Sequence, residues 1–267
     1  MGAHPVRTQH LIHPIVREDL VPRHPEHSKH TAGGFAALSL LLLLAASLGV
    51  GSTAAAPEAL TAQPLPAQLP LEQAGPDSFL VTLETTRGRV VLKSHRDWAP
   101  LGSARLYHLV EGGYYNGTVV YRIGPTKSFE GGFVAQFGIG NSEAVNKAWE
   151  ASPIGDEPVR EHNRLGMVSF ARGGPKTRSV ELGMNLATNA QLDTVTYEGI
   201  VGFPPVAEIV SGMSVLQSLN RKYGNAVFDQ WDSVFVHGRE YLDRAYPGLD
   251  RVVTARVSRT WPKRFRP

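Results

Sequence analysis

The chain has 267 residues, of which 42% are hydrophobic and 19% charged, so it is long enough to bury a core in one or two domains. It contains no cysteine, which excludes disulfides, thiolate metal sites, thiol catalysis and a lipid-modified N-terminal cysteine. The formal net charge is only +3, and the basic residues are scattered except in a short C-terminal tail, so nucleic-acid binding is not predicted.

The N-terminal part of the chain predicts export. Residues 1–34 hold six of the ten histidines, but prolines break their spacing, which favours disorder over a metal site. Residues 35–56 contain the uncharged run Phe35–Val50 followed by small residues, a pattern typical of a signal peptide or signal anchor. A buried core helix is the alternative, which the flanking basic and proline-rich stretches disfavour. A cleaved signal, a retained anchor and a later start codon all stay open.

The folded part is predicted to follow a linker. Residues 57–77 are rich in proline, alanine and glutamine, which predicts a semi-stiff connection. Apolar residues alternate in Phe79–Leu83, and Val90–Leu92 follows after a turn, so an opening β-hairpin is predicted. A helix is predicted to begin at Pro100, because proline suits a first helical turn, and to end at the pair Gly112–Gly113.

The stretch Tyr114–Phe137 contains two short predicted strands joined by a glycine-rich loop. The first strand ends at Arg122, and the second is Phe133–Phe137. Since residues two apart share a face of a strand, Val134 and Gln136 are predicted on the face opposite Phe133. An arginine at the end of one strand beside an amide on the next predicts a cleft rather than a core.

The remainder of the chain predicts further short strands. Residues Asn141–Arg164 are polar and loop-like, with Trp149 as an anchor, and a second helix is predicted to be capped by Ser211. Strands are predicted at Gly166–Ala171, Leu182–Leu186, Val206–Val210, Val234–Val236 and Val252–Val257. Many short strands with two helices predict a mainly β barrel or sandwich.

Several of these stretches carry a family resemblance, in order and over one domain length. They are YR…GGFVAQFG ending at Gly138, Asn163–Ala171, Gly202–Met213 and Tyr246–Asp250. Together they resemble the cyclophilins, the cyclophilin-type peptidyl-prolyl cis-trans isomerases, in their bacterial, exported branch. The resemblance implies a closed eight-stranded antiparallel barrel capped by two helices, here over residues 78–258, with a basic tail at 259–267.

The resemblance implies isomerase chemistry at Arg122. A prolyl peptide bond turns slowly because amide resonance sets a barrier of about 18–20 kcal/mol. The twisted transition state loses that resonance, and a guanidinium that donates to the prolyl nitrogen stabilises it without a nucleophile, metal or cofactor. By resemblance Arg122 is the catalytic residue, Phe133 a wall of the proline pocket and Gln136 a clamp for the substrate backbone. The other substrate-binding residues implied are Val134, Ala171, Arg172, Glu181 and Phe203.

Several positions depart from the family pattern. Glu181 stands where a backbone-binding glutamine is expected, Gly183 where a pocket phenylalanine is expected, Arg172 for an asparagine and Val134 for a methionine. An ionised glutamate accepts hydrogen bonds but cannot donate them, as a glutamine does. Two hypotheses therefore stay open: an isomerase of reduced activity, or a non-enzymatic module that binds proline-containing peptides.

A third hypothesis, a hydrolase, is disfavoured because Gly212-Met-Ser214 lacks the second glycine of a nucleophile elbow. The predicted partners are proline-containing polypeptides among exported proteins, with no cofactor and no nucleic acid. The protein is predicted to be a monomer that faces the periplasm, in contact with a membrane only through a possible N-terminal anchor.

Overall fold

The computed structural model of the chain describes residues 62–125 and 133–261. The predicted N-terminal region and signal segment, and residues 262–267 of the predicted tail, lie outside the described residues. Within the described ranges, no helix has the length and apolar character needed to cross a membrane.

The main element is one eight-stranded antiparallel sheet. Its strands, in spatial order, are β10 (Val252–Trp261), β1 (Ser78–Thr85), β2 (Gly88–His95), β9 (Pro205–Ser211), β5 (Met167–Phe170), β6 (Leu182–Asn185), β4 (Phe133–Phe137) and β3 (Val120–Pro125). A separate two-stranded hairpin pairs β7 (Thr196–Tyr197) with β8 (Ile200–Val201). The mainly β class and the eight antiparallel strands are therefore confirmed.

The predicted closure of the barrel is wrong, because the sheet is open between β3 and β10. A single bridge joins Val119 to Arg251, and the amide of Val120 donates to the carbonyl of Asp250 at 2.8 Å. A register shift at Tyr121 follows directly in β3. Because a bulge bends its strand, the pairing with β10 ends there and the sheet forms a half-barrel.

The described residues form four α-helices where two were predicted. They are α1 (Pro100–Glu111), α2 (Glu143–Glu150), α3 (Met213–Gln217) and α4 (Trp231–Ala245), which is kinked at Gly238, where φ is 52°. The start of α1 at Pro100 and its end at Gly112 are confirmed. The predicted cap at Ser211 is wrong: α3 follows Gly212, whose φ of 89° lies in the left-handed region that glycine favours, and no side chain caps it.

Two of the helices replace other predictions. Helix α2 lies in the stretch Asn141–Arg164 that was predicted to be a loop, and the Ser142 hydroxyl accepts a hydrogen bond from the amide of Val145 at its first turn. The predicted strand Val234–Val236 lies inside α4. β-Branched residues favour strands only where a sheet neighbour exists, and here Trp231, Val234 and Phe235 recur at helical spacing instead.

The buried apolar residues form two large clusters. The larger one fills the half-barrel and includes Ala135 and Phe137, as the predicted alternation of β4 requires. The second lies between α4 and β3 and joins Tyr121, Trp231 and Phe235 with their neighbours. Helix α4 therefore covers the side of the sheet where β3 carries Arg122.

The described part of the predicted linker, residues 62–77, makes contacts with the domain. The Gln63 side chain donates to the carbonyl of Tyr114 at 2.9 Å and accepts from the amide of Asn141 at 2.7 Å. Trp149, the predicted anchor, is fully buried and its indole donates to the carbonyl of Pro64 at 2.9 Å.

Candidate functional site

Three neighbouring strands bring the central candidate residues together. In the register of β3 with β4, Arg122 lies opposite Gln136, and in that of β4 with β6, Gln136 lies opposite Gly183. The register shift at Tyr121 allows the consecutive side chains of Tyr121 and Arg122 both to reach this group.

Arg122 is buried, with 1% of its surface exposed, so the predicted cleft is wrong at this residue. Its Nη1 donates to Gln136 Oε1 at 3.2 Å, and its Nη2 donates to the carbonyl of Pro125 at 2.9 Å. Its Nε donates to Asn225 Oδ1 at 2.7 Å, and the Phe228 ring lies 4.9 Å from its guanidinium carbon. The physical reason for the burial is that the chain between α3 and α4 covers the guanidinium.

Burial lowers the pKa of Arg122 to about 10. The desolvation of the guanidinium is the main cause, and the nearby Tyr121 hydroxyl opposes it. Since this value is still well above neutral pH, Arg122 remains a cation that can donate from every nitrogen.

Gln136 connects Arg122 to a buried carboxyl group. Its Nε2 donates to Glu181 Oε2 at 3.0 Å, and the Tyr121 hydroxyl donates to the same oxygen. Because the amide nitrogen of Gln136 is held by Glu181, its amide oxygen faces Arg122. Glu181 therefore fixes the orientation of the Gln136 amide, and through it the position of the guanidinium.

Burial raises the pKa of Glu181 to about 7. The hydrogen bonds from Tyr121 and Gln136 favour the ionised form and act in the opposite direction, but the desolvation of the carboxyl group is larger. The site thus holds a carboxyl group that changes its protonation state near neutral pH.

Phe133 and Val134 lie at the start of β4. Phe133 is half-buried, and the guanidinium carbon of Arg221 lies 5.3 Å from the centre of its ring. The backbone amide of Phe133 donates to Asn189 Oδ1 at 3.0 Å. Val134 is buried, and alternation in the strand places it on the same face as Gln136.

Ala171, Arg172 and Phe203 form a second group, which Glu181 connects to the first. The guanidinium of Arg172 lies 4.8 Å from the centre of the Phe203 ring and donates to the carbonyl of Ile200 at 3.1 Å. The amide of Ala171 donates to the carbonyl of Glu181 at 2.9 Å. The predicted site residues are thus brought together as two adjoining groups rather than one cleft.

A small pocket lies at this second group. Its lining includes Ala171, Arg172 and Glu181 but neither Arg122 nor Phe133, and its volume is about 20 Å³. This volume holds a water molecule but not a proline ring. Among the described residues, no cluster of three or more His, Asp or Glu side chains is placed to hold a metal ion.

Sequence reasoning missed two residues that contact Arg122, Asn225 and Phe228. Both lie in a stretch that no family motif covers. A signal was present nearby, because Trp231, Val234 and Phe235 have the spacing of one helix face. A helix at these residues packs against β3, so the chain segment that leads into the helix has to pass β3.

Comparison with known proteins identifies relatives of the matched region. Residues 80–234 match the family model for the cyclophilin type peptidyl-prolyl cis-trans isomerase/CLD. A peptidyl-prolyl cis-trans isomerase-like 1 of Gibberella zeae is 31% identical over 113 residues, which cover 42% of this chain and 68% of that protein. The peptidyl-prolyl cis-trans isomerase ppi1 of Schizosaccharomyces pombe is 27% identical over 139 residues, covering 52% of this chain and 83% of that protein.

A peptidyl-prolyl cis-trans isomerase A of Dickeya dadantii is 28% identical over 142 residues, covering 53% of this chain and 70% of that protein. Among solved structures, a cyclophilin type peptidyl-prolyl cis-trans isomerase of Cryptosporidium parvum aligns with a TM-score of 0.46 and 14% identity. That alignment covers 69% of this chain and 99% of the other.

Proposed function

The chain belongs to the cyclophilin-type peptidyl-prolyl cis-trans isomerase family, and on this premise we propose that it isomerises X-Pro bonds of exported proteins and so assists their folding. The proposal includes a bacterial, exported origin and a location in the periplasm or on the membrane facing it. The uncharged run Phe35–Val50 supports the location.

The observation that carries the proposed activity is the contact between Arg122 and Gln136. Two of the guanidinium nitrogens donate to groups of the sheet itself, Gln136 Oε1 and the carbonyl of Pro125. The third, Nε, donates to a side chain outside the sheet, Asn225. A guanidinium fixed on two sides presents its remaining donor in a defined direction, which suits a prolyl nitrogen that becomes an acceptor as the bond twists.

Arg122→Ala tests this role in the full chain. We expect kcat/KM for a short prolyl peptide to fall by roughly 10²–10³-fold, the usual effect of losing one electrostatic donor. We also expect Arg122→Lys to lose activity, because an ammonium lacks the planar fork that Gln136 and Pro125 hold. Exchange NMR of the peptide measures the rate without a protease.

Arg105→Lys is the matched control, because Arg105 is also buried and its Nη1 donates to the carbonyls of Ser152 and Ser179. This variant is expected to lose stability but keep its activity. A folded Arg122→Lys variant with the wild-type rate would contradict the proposed catalytic role.

A second candidate function is a module that binds proline-containing peptides without accelerating their isomerisation. The engagement of every guanidinium nitrogen of Arg122 within the protein favours it, as does Gly183 in place of a pocket side chain. Saturable binding of a prolyl peptide with no acceleration, lost in Arg122→Ala, would favour this reading over the isomerase.

A further inference from the structure

One segment of the chain lies directly on the proposed active site. We define residues 221–228, between α3 and α4, as the covering segment. We propose that the covering segment occupies the substrate position and inhibits the enzyme, so that a prolyl substrate must displace it. This inference rests on the proposed isomerase function and concerns its regulation.

The contact at Arg122 has the chemistry of a bound substrate. Asn225 Oδ1 accepts from Arg122 Nε at 2.7 Å, a shorter distance than those from this guanidinium to Gln136 and to Pro125. Asn225 Nδ2 donates to the carbonyl of Pro125 at 3.1 Å, so the amide binds the arginine and its strand together. The Asn225 amide oxygen thus occupies the place where a twisted prolyl nitrogen would accept a hydrogen bond from Arg122 Nε.

Two other side chains of the covering segment lie on the surfaces that a proline ring and its neighbours would use. The Phe228 ring lies 4.9 Å from the Arg122 guanidinium carbon, and the Arg221 guanidinium lies 5.3 Å from the centre of the Phe133 ring. Cation–aromatic contacts of this kind are favourable, most of all when desolvated. Substrate therefore competes with three contacts at once.

The covering segment is attached to the domain at both ends. A substrate can therefore displace it from Arg122 without detaching it from the protein. Before it, the Asn220 amide donates to Asp250 Oδ2 at 2.6 Å and its Nδ2 donates to the carbonyl of Gly248 at 2.7 Å. Near its end, Val227 is fully buried in the cluster beneath α4. Between these points lies Gly224, with a φ of +54° and space around it for a side chain. The segment has room to shift Asn225 away from Arg122 while its ends stay in place.

The proposal predicts the effect of weakening the contact. The apparent affinity for substrate is the intrinsic affinity multiplied by the fraction of molecules in which the site is uncovered. Because a hydrogen bond to a charged group accounts for a factor of about ten to a hundred in such an equilibrium, Asn225→Ala is expected to raise kcat/KM by about tenfold to a hundredfold. Asn116→Ala is the control, since it removes an asparagine side chain whose oxygen accepts from the amide of Ala255 at 2.8 Å, outside the covering segment.

A disulfide that holds the covering segment closed gives the opposite perturbation. A Cβ placed on Gly124 lies 3.4 Å from Asn225 Cγ, so the double variant Gly124→Cys/Asn225→Cys places two thiols within bonding reach. The wild-type chain has no cysteine, so this pair is the one disulfide that can form. Each single-cysteine variant controls for the substitution and for the oxidant.

We expect the oxidised double variant to isomerise a short prolyl peptide at the uncatalysed rate and the reduced form to be at least as active as the wild type. Equal activity of the oxidised and reduced forms would overturn the inhibition. So would an unchanged rate in Asn225→Ala, or an equal rise in Asn116→Ala. If Arg122→Ala still lowered the rate in either case, the proposed function would stand. Absence of isomerase activity in every form, reduced or oxidised, would remove the proposed function and the inhibition with it.

Discussion

The buried carboxyl group of Glu181 is expected to make the stability of the domain depend on pH, and Glu181→Gln is expected to remove that dependence. The side chain is 7% exposed, and burial raises its pKa from an ordinary value of 4.5 to about 7. Between these two values the folded protein keeps the proton and the unfolded chain releases it. The stability contributed by the protonated form is therefore complete below the unfolded pKa and is lost as pH rises through 7.

The size of the effect follows from the gap between the two pKa values. At roughly 1.4 kcal/mol per pKa unit, the wild type loses about 3 kcal/mol in its free energy of unfolding between pH 4.5 and 8 through this group. A glutamine at this position is neutral at every pH, so the variant does not lose unfolding free energy in this way. At pH 8 we therefore expect Glu181→Gln to have a higher Tm than the wild type by about 6–12 °C, the shift typical for a domain of this size.

Thermal unfolding of both proteins between pH 4.5 and 8.5 measures this difference. Glu240→Gln is the control, because the Glu240 side chain is 81% exposed and its removal should leave the pH profile unchanged. The Tm difference between wild type and Glu181→Gln should be small at pH 5 and grow towards pH 8. Parallel profiles would show that burial does not raise the pKa of Glu181, and a Glu181→Gln variant less stable than the wild type at pH 8 would show that the folded protein prefers the carboxylate. Either result would refute the reasoning.

Two further predictions concern the fold and the location of the protein. Gly238→Ala is expected to cost about 2–5 kcal/mol of unfolding free energy, because φ is +52° and the new Cβ would lie 2.6 Å from Asn141 Cα. Gly183→Ala is the control, because its Cβ would meet only the Ser169 carbonyl at 3.9 Å, and urea unfolding should show a smaller loss of unfolding free energy for it. Equal losses of unfolding free energy in the two variants would contradict the prediction. A reporter fused after residue 78 is expected to be active only outside the cytoplasm. Cytoplasmic activity that persists after deletion of Phe35–Val50 would contradict export.

The elements that the sequence predicted well are those with local signals. Alternating apolar residues defined the β1–β2 hairpin, and their pairing is regular from Ser78 opposite His95 to Thr85 opposite Gly88. Pro100 marked the first turn of α1, where its missing amide hydrogen costs nothing. Such features depend on neighbours in the chain, so periodicity and turn chemistry suffice to place them.

The pairing of candidate residues across strands was also predictable in part. The resemblance placed Arg122 and Gln136 in one site, and the register of β3 with β4 brings them into hydrogen-bond contact. It did not show that Glu181 would bind Gln136 rather than substrate. That contact joins β4 to the residue before β6, and the bulge in β3 lets the Tyr121 hydroxyl reach the same carboxyl group. A one-residue register shift leaves no mark in the alternation of so short a strand.

Two sequence-based predictions that were wrong, the strand at Val234–Val236 and the cleft at Arg122, failed for one physical reason. A β-branched pair around Phe235 satisfies a strand pattern locally, and Gly238 interrupts the helical pattern that would have corrected it. Once Val234 and Phe235 are placed in α4, their apolar face has to be buried, and β3 is the surface that buries it. The chain that enters α4 must then run past Arg122, which is where Asn225 and Phe228 lie. The covering of the site is thus a consequence of the helix, and a correct helix assignment would have predicted a buried arginine.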